Sequence, residues 1–224
     1  MFPYSLLQHF HRQFRISFIS SFLLFSVFSS FAFRPFITDD AGTVEQSGFE
    51  LETAADYWHD AAGFGLCFKH GITDRMDLGV AFGRCLLPED ESGYDPAELL
   101  LKFSLFPDKL SASFSGSFSD PCYTAQLVFS QPIALVTIHT NAGYSAVGSE
   151  DNGFGVFGLA GTVDIGKVCL GLEFGGTQES LDWWQTGGRY AFTDFFALDA
   201  AIGGDFEKEM SLMATTGLFY AFPH

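Results

Sequence analysis

One extended segment of the sequence carries a histidine, an asparagine and a serine whose types suit acyl-transfer chemistry. His139, Asn141 and Ser145 are spaced so that their side chains share one face of a β-strand. A serine nucleophile must reach its base, yet Ser145 would lie about 20 Å from His139 at the rise of a strand. A serine from a neighbouring strand would be needed, and the sequence does not position Ser113 or Ser115. We therefore interpret His139 as a polar inward-facing residue and predict that the protein is not an enzyme.

A second set of candidate functional residues is charged. The less apolar face of the alternating segments described below carries seven acids and three bases: Glu50, Glu52, Asp56, Asp77, Glu98, Glu173, Asp199, Lys69, Lys102 and Arg189. Such charges either line a pore and favour cations, or pair with one another to hold strands in register or to plug a lumen. Glu98 and Lys102 lie on one strand, and for them pairing is the preferred interpretation. As candidate lumen residues that would set selectivity we select Glu50, Glu52, Asp77, Lys102, Arg189 and Asp199.

Other chemistry has little support in the sequence. Asp39 and Asp40 have the types to bind a cation, although a role in a turn is the simpler interpretation. The four cysteines, Cys67, Cys85, Cys122 and Cys169, lack the spacing of a zinc or redox site. We expect them to be small buried residues, with a bond between Cys85 and Cys122 as the alternative. We predict no cofactor and no metal.

These residues must be positioned by β-strands. From Phe49 to Phe222, apolar residues recur at every second position in twelve short segments separated by Gly, Asp, Asn and Pro. The more apolar face has no acid or base and one histidine, His70, whereas the opposite face carries serines, glycines and the charges. A closed barrel in a membrane has this pattern, because closure satisfies the backbone hydrogen bonds that hydrocarbon cannot. The sequence predicts an all-β, closed, antiparallel transmembrane β-barrel of about twelve strands with up-and-down topology.

The connections between segments support the same prediction. Tight turns such as 73–75 and 107–109 alternate with mostly longer, acidic connections such as 86–95 and 205–210. Bacterial barrels place short turns on the periplasmic side and long loops outside. Aromatic residues also concentrate at segment ends, as in the aromatic girdles of membrane barrels.

The N-terminus has the order of charge and hydropathy typical of an export signal. Arg12 and Arg15 precede an uncharged stretch, 16–33, and small residues stand before a cleavage point after Ala32. We predict a secretory signal peptide over 1–32, with an uncleaved membrane anchor as the alternative. A short periplasmic N-terminal segment, 33–48, and the transmembrane barrel, 49–222, follow. The net charge of −16 argues against a nucleic-acid partner.

Several stretches resemble a known family. Residues 34–43 read Arg-Pro-Phe-Ile-Thr-Asp-Asp-Ala-Gly-Thr, and 47–52, 71–80, 139–144 and 190–194 continue the match in order. They resemble the outer-membrane proteins grouped under the meta-pathway of phenol degradation. The resemblance implies a β-barrel outer-membrane transporter whose substrate is mostly unestablished, and it does not imply phenol transport.

The sequence therefore predicts a protein of the bacterial outer membrane that acts as a passive channel or transporter for small solutes through a polar, charge-lined lumen. The alternative is a structural or interaction barrel with a plugged lumen and acidic surface loops. The expected partners are the lipid bilayer with its lipopolysaccharide, the outer-membrane insertion machinery and a small solute of unknown identity.

Overall fold

The computed structural model describes residues 35–58, 61–88, 92–117, 122–147, 153–206 and 211–222. The predicted signal peptide, 1–32, lies outside the described residues, as do the acids Glu89, Asp90 and Glu91 of one connection. Among the residues that are described, no helix is long and apolar enough to cross a bilayer.

The described part of the chain is built from β-strands that begin where the apolar alternation begins, at Phe49. Twelve are long, and β4 has only two residues. In chain order they are β1 Phe49–Trp58, β2 Ala61–Thr73, β3 Met76–Leu87, β4 Gly93–Tyr94, β5 Glu98–Phe106, β6 Leu110–Ser117, β7 Cys122–Ile133, β8 Val136–Val147, β9 Phe154–Ile165, β10 Val168–Thr177, β11 Leu181–Ala191, β12 Phe196–Asp205 and β13 Leu212–Phe222.

The sheet closes on itself. Each long strand pairs antiparallel with its neighbours in sequence, β4 adds only a short pairing with β3, and β1 pairs with both β2 and β13. Phe49 stands opposite Phe222 across the closing pair. The predicted closed, antiparallel, up-and-down barrel of twelve long strands is confirmed.

The two ends of the barrel differ in their connections. Residues 74–75, 107–109, 134–135, 166–167 and 192–195 form short turns at one end, here called the turn end. The connections at the opposite end, the loop end, are mostly longer. His70, on the outer face near the turn end, contacts the carbonyl oxygen of Gly48 through Nδ1 at 2.9 Å and stacks on Phe49 with ring centroids 4.1 Å apart.

Alternation places large apolar side chains outside and polar or small ones inside. Exposed outer residues include Phe82, Leu127, Leu172 and Ile202, and buried inward residues include Glu52, Asp77, Glu173 and Asp199. Since a closed barrel has no sheet edge, the outer face is the apolar surface that a bilayer would cover.

The chain before β1 lies inside the barrel. The sequence predicts a short periplasmic segment over 33–48, whereas the structure holds the backbone of residues 35–44 against inward-facing side chains of seven strands. The reason is that this backbone lies outside the strands and obtains hydrogen bonds from side chains of the lumen wall. Gly71 allows residues 44–46 to approach β2, because a Cβ there would collide with the carbonyl of Glu45. We call residues 35–46 the lumen segment.

Candidate functional site

The candidate site is the surface between the lumen segment and the inward face of the barrel. Its first anchor is Glu173 of β10, which is 0% exposed. The Glu173 carboxylate accepts hydrogen bonds from the backbone N–H groups of Ile37 and Thr38, both at 2.8 Å. Gln185 of β11 donates to Glu173 at 3.1 Å and to the carbonyl oxygen of Pro35 at 2.6 Å. A buried carboxylate and an amide therefore fix the start of the segment.

Two glycines in the wall make room for side chains of the segment. The Phe36 ring lies on Gly171, where a Cβ would collide with it. A Cβ placed on Gly158 would lie 2.7 Å from Thr38 Oγ1, closer than ordinary contact. Any larger residue at Gly158 or Gly171 would therefore push the segment away from the wall.

Lys102 of β5 is the main charged contact. Its Nζ lies 2.8 Å from both carboxylate oxygens of Asp39 and donates to the carbonyl oxygens of Asp40 and Gly42 at 3.0 Å. The expectation that Lys102 pairs with Glu98 on its own strand is thus wrong, because the segment supplies a closer carboxylate. Burial raises the pKa of Asp39 to about 6, although the Lys102 ammonium acts in the opposite direction.

Asn141 of β8 binds both backbone groups of Asp39. In the amide orientation that satisfies both partners, its oxygen accepts from the Asp39 N–H at 2.6 Å and its nitrogen donates to the Asp39 carbonyl at 3.0 Å. This two-bond pairing with a single residue is the pattern that one β-strand presents to another.

Two serines hold Ala41 in the same way. Ser130 Oγ of β7 accepts from the Ala41 N–H at 2.9 Å, and Ser111 Oγ of β6 donates to its carbonyl oxygen at 2.6 Å. Ser130 also contacts His139 Nδ1 at 2.9 Å, and His139 Nε2 lies 3.1 Å from Thr162 Oγ1. This chain of hydroxyls and imidazole sits under the segment and orients it.

The serine beside His139 could not be identified from the sequence. Ser145 bonds Thr124 at 3.0 Å instead. Ser130 faces His139 directly across the β7–β8 pair, so the useful signal was the strand register rather than spacing within one strand. The lumen segment covers this group, because Ser130 Oγ also accepts a hydrogen bond from the Ala41 N–H.

The sequence-selected lumen residues fall into three groups. Lys102 and Asp77 contact the segment, Asp77 by accepting from the Val44 N–H at 3.0 Å. The sequence selection missed Glu173, Gln185, Asn141, Ser111 and Ser130, which also hold the segment.

The other selected residues lie away from those contacts. Glu52 is bonded to Lys69 of β2 at 3.2 Å, and Glu50 faces the same lysine across β1 and β2. Arg189 faces Asp199 across β11 and β12, and its guanidinium lies 4.9 Å from the centre of the Phe219 ring.

Toward the loop end the lumen contains an apolar cluster and an acidic pocket. Ile37 packs against a buried cluster of Trp58, Trp183 and Met213. Beside it, at the loop ends of β1–β3, an open pocket has Asp56, Asp95 and Glu98 in its lining. Burial raises the pKa of Asp95, whose carboxylate lies against Gly83.

Comparison with solved structures supports the fold. The barrel is similar to a KdgM porin (TM-score 0.64, 11% identity, 78% of this chain and 99% of that chain). It is also similar to an outer membrane channel from Pseudomonas putida F1 (TM-score 0.58, 13% identity, 82% and 98%) and to a NanC porin (TM-score 0.56, 8% identity, 76% and 98%). No protein-family model and no curated protein matches the sequence, so the phenol-degradation family resemblance stays a prediction.

Proposed function

We propose that the protein is a passive outer-membrane channel for small solutes that is closed by its own lumen segment and opens when the segment leaves. The apolar outer face, the closed sheet and the charged inner face support a water-accessible pore across a membrane. The structurally similar porins and the Pseudomonas channel support the same function at the level of fold. In the bacterial orientation the turn end faces the periplasm, and the apolar outer face would contact lipid and lipopolysaccharide.

The observation that carries the proposal is how the segment is held. Its bonds to the wall are hydrogen bonds and one ion pair, and water can replace each of them. The net cost is about 0.5–1.5 kcal/mol for a bond between neutral groups and about 1.5–3 kcal/mol for a bond to a charged group. Its buried apolar side chains are few, chiefly Phe36, Ala41 and Val44. Release therefore exposes little apolar surface, as a reversible gate requires.

The charge of the open lumen favours cations. The seven inward acids exceed the three inward bases by four. Once the segment has left, Glu173 and Asp77 would lose their backbone donors and become pore-lining carboxylates. Acidic linings of this kind raise the local concentration of cations.

Planar-bilayer recording tests the proposal. We expect the full-length protein to show infrequent, cation-selective openings, and Glu173→Gln to raise the open fraction at least tenfold because the segment loses its charged anchor. Asp199→Asn is the matched control, since Asp199 is a buried inward acid that faces Arg189 across the β11–β12 pair.

The alternative is a structural barrel whose segment never leaves. The number of bonds that hold the segment is the observation in its favour. Absence of current from both proteins, with each shown to be a folded barrel by its heat-dependent migration on gels, would support this alternative and overturn the channel.

A further inference from the structure

The wall of the lumen contacts mainly the backbone of the segment. Side chains of the wall accept hydrogen bonds from five backbone N–H groups, those of Ile37, Thr38, Asp39, Ala41 and Val44. They donate hydrogen bonds to five backbone carbonyl groups, those of Pro35, Asp39, Asp40, Ala41 and Gly42. Every peptide carries these groups at the same spacing. The segment bends at Ile37, Thr38 and Ala41. The wall is therefore complementary to a bent, non-helical main chain more than to one amino-acid sequence.

A few positions also select side chains. The space over Gly171 accommodates an aromatic ring and the space over Gly158 a small polar side chain. The Lys102 ammonium binds an acidic side chain. Ala41 is 0% exposed, so the position between Ser111 and Ser130 accepts only a small residue. The wall therefore prefers a peptide with an aromatic residue at the position of Phe36 and a small polar residue at that of Thr38. It also prefers an acid at the position of Asp39 and a small residue at that of Ala41.

We infer that the lumen wall is a binding site for short peptides in a bent, non-helical conformation, for which residues 35–44 act as a built-in occupant. The inference rests on the proposed function and deepens it, because it names the class of solute that competes with the segment for the wall. A sugar of similar size lacks the alternating amide donors and carbonyl acceptors that these side chains contact.

The test frees the lumen without changing the wall. Thr38→Pro combined with Ala41→Pro removes two N–H donors of the segment, which bond Glu173 and Ser130, and leaves every strand intact. Ala41→Trp, which overfills its position, is a second route to the same state. We expect both variants to remain open in planar bilayers.

Three probes are then added from the turn end. The first probe is a capped nonapeptide with the sequence of residues 35–43. The second probe keeps the side chains that correspond to residues 36, 38, 39 and 41 of the protein and changes the others. The third has the first sequence with N-methyl groups at 37, 38 and 41. We expect the first two to block the current and the third to block at least tenfold more weakly, since it has the same side chains without the donors. Equal block by the methylated peptide, or by maltotriose, would overturn the inference.

A binding measurement separates this inference from the channel proposal. Trp58 and Trp183 pack beside Ile37, so occupancy of the wall should change the tryptophan fluorescence of the refolded variant whether or not current flows. A fluorescence change with the first peptide and not with the methylated one supports the site even if no conductance is seen, which would overturn only the channel. If the variant channels are open and neither peptide blocks the current or changes the fluorescence, the peptide site is overturned. The channel proposal is unaffected by that result.

Discussion

On β10, Leu172 and Glu173 are adjacent in the chain and meet different surroundings. Leu172 points outward and is 46% exposed, whereas Glu173 points inward, is 0% exposed and holds two N–H groups of the lumen segment. The outer face contacts lipid hydrocarbon, which accommodates any large apolar side chain. The inner face meets one particular stretch of chain 136 positions away, and only certain polar groups satisfy it.

This difference assigns different consequences to the two faces. A polar change outside should damage the barrel as a whole, because hydrocarbon cannot solvate it. A change at an inward residue that holds the segment should release the segment and leave the strands paired, because the contacts of the segment are separate from the closed ladder of strand hydrogen bonds.

The largest expected effect comes from Lys102→Met. The substitution leaves the buried Asp39 carboxylate and the Asp40 and Gly42 carbonyls without the ammonium, and breaking a buried pair costs about 3–5 kcal/mol. We expect a channel that stays open in bilayers while the gel migration of the folded barrel is unchanged. Lys69→Met is the matched control, because Lys69 pairs with Glu52 of the wall. A closed Lys102→Met channel would show that the ion pair does not hold the segment.

A substitution on the outer face tests the other side of the comparison. Phe114→Arg places a charge in the hydrocarbon, which costs about 2–4 kcal/mol near the centre of the bilayer. Its neighbour Ser115 faces the lumen at the same depth, and Ser115→Arg should cost much less. The free energies of unfolding in urea, measured in lipid vesicles, should differ in that order. Equal losses would mean that the two faces do not meet different solvents.

The response to pH gives a smaller effect. The pKa of Asp39 is about 6 when the segment is docked, and a released, hydrated Asp39 should have its ordinary value of 3.8. The docked state therefore binds the proton more tightly, so docking gains stability as the pH falls through 6 and the gain levels off below 4. We expect the open fraction to fall about tenfold between pH 7 and pH 5. Asp39→Asn should weaken this dependence and leave the part that belongs to Glu173, the other buried acid that holds the segment. An open fraction that rises on acidification would contradict the assignment.

The smallest expected effect is on ion selectivity. Asp77→Asn removes one inward acid near the turn end and also one acceptor of the segment. In an already open background such as Lys102→Met, only the first consequence remains visible. The reversal potential in a salt gradient should then shift toward lower cation preference by a few-fold in permeability ratio. An unchanged potential would exclude Asp77 from the conducting path.

The sequence predicted the outer face and the closure of the barrel because one rule, alternation against hydrocarbon, acts on every strand. It also identified Glu52, Asp77 and Asp199 as inward-facing for the same reason. It did not identify what these side chains contact. The lumen segment has no period of its own, and apart from the Asp39 ion pair its bonds are made by its backbone, which carries no sequence signal. Pairs such as Ser130 with His139 depend on strand register, which alternation leaves open.

The central claim is that the lumen segment closes the pore. A Cβ placed on Gly158 lies 3.5 Å from Thr38 Cβ, which is within the Cβ–Cβ range of a disulfide. A disulfide between Thr38→Cys and Gly158→Cys can therefore lock the segment to the wall. The four native cysteines are replaced by alanine in this variant. Mass spectrometry of the oxidised protein establishes the bond. Thr38→Cys alone is the control for a docked segment, and Gly158→Cys alone, whose Cβ pushes against Thr38, is the control for a displaced one. We predict that the oxidised channel conducts no current and that reduction of the same molecules restores openings. Equal conductance before and after reduction, or failure of the bond to form, would contradict the account.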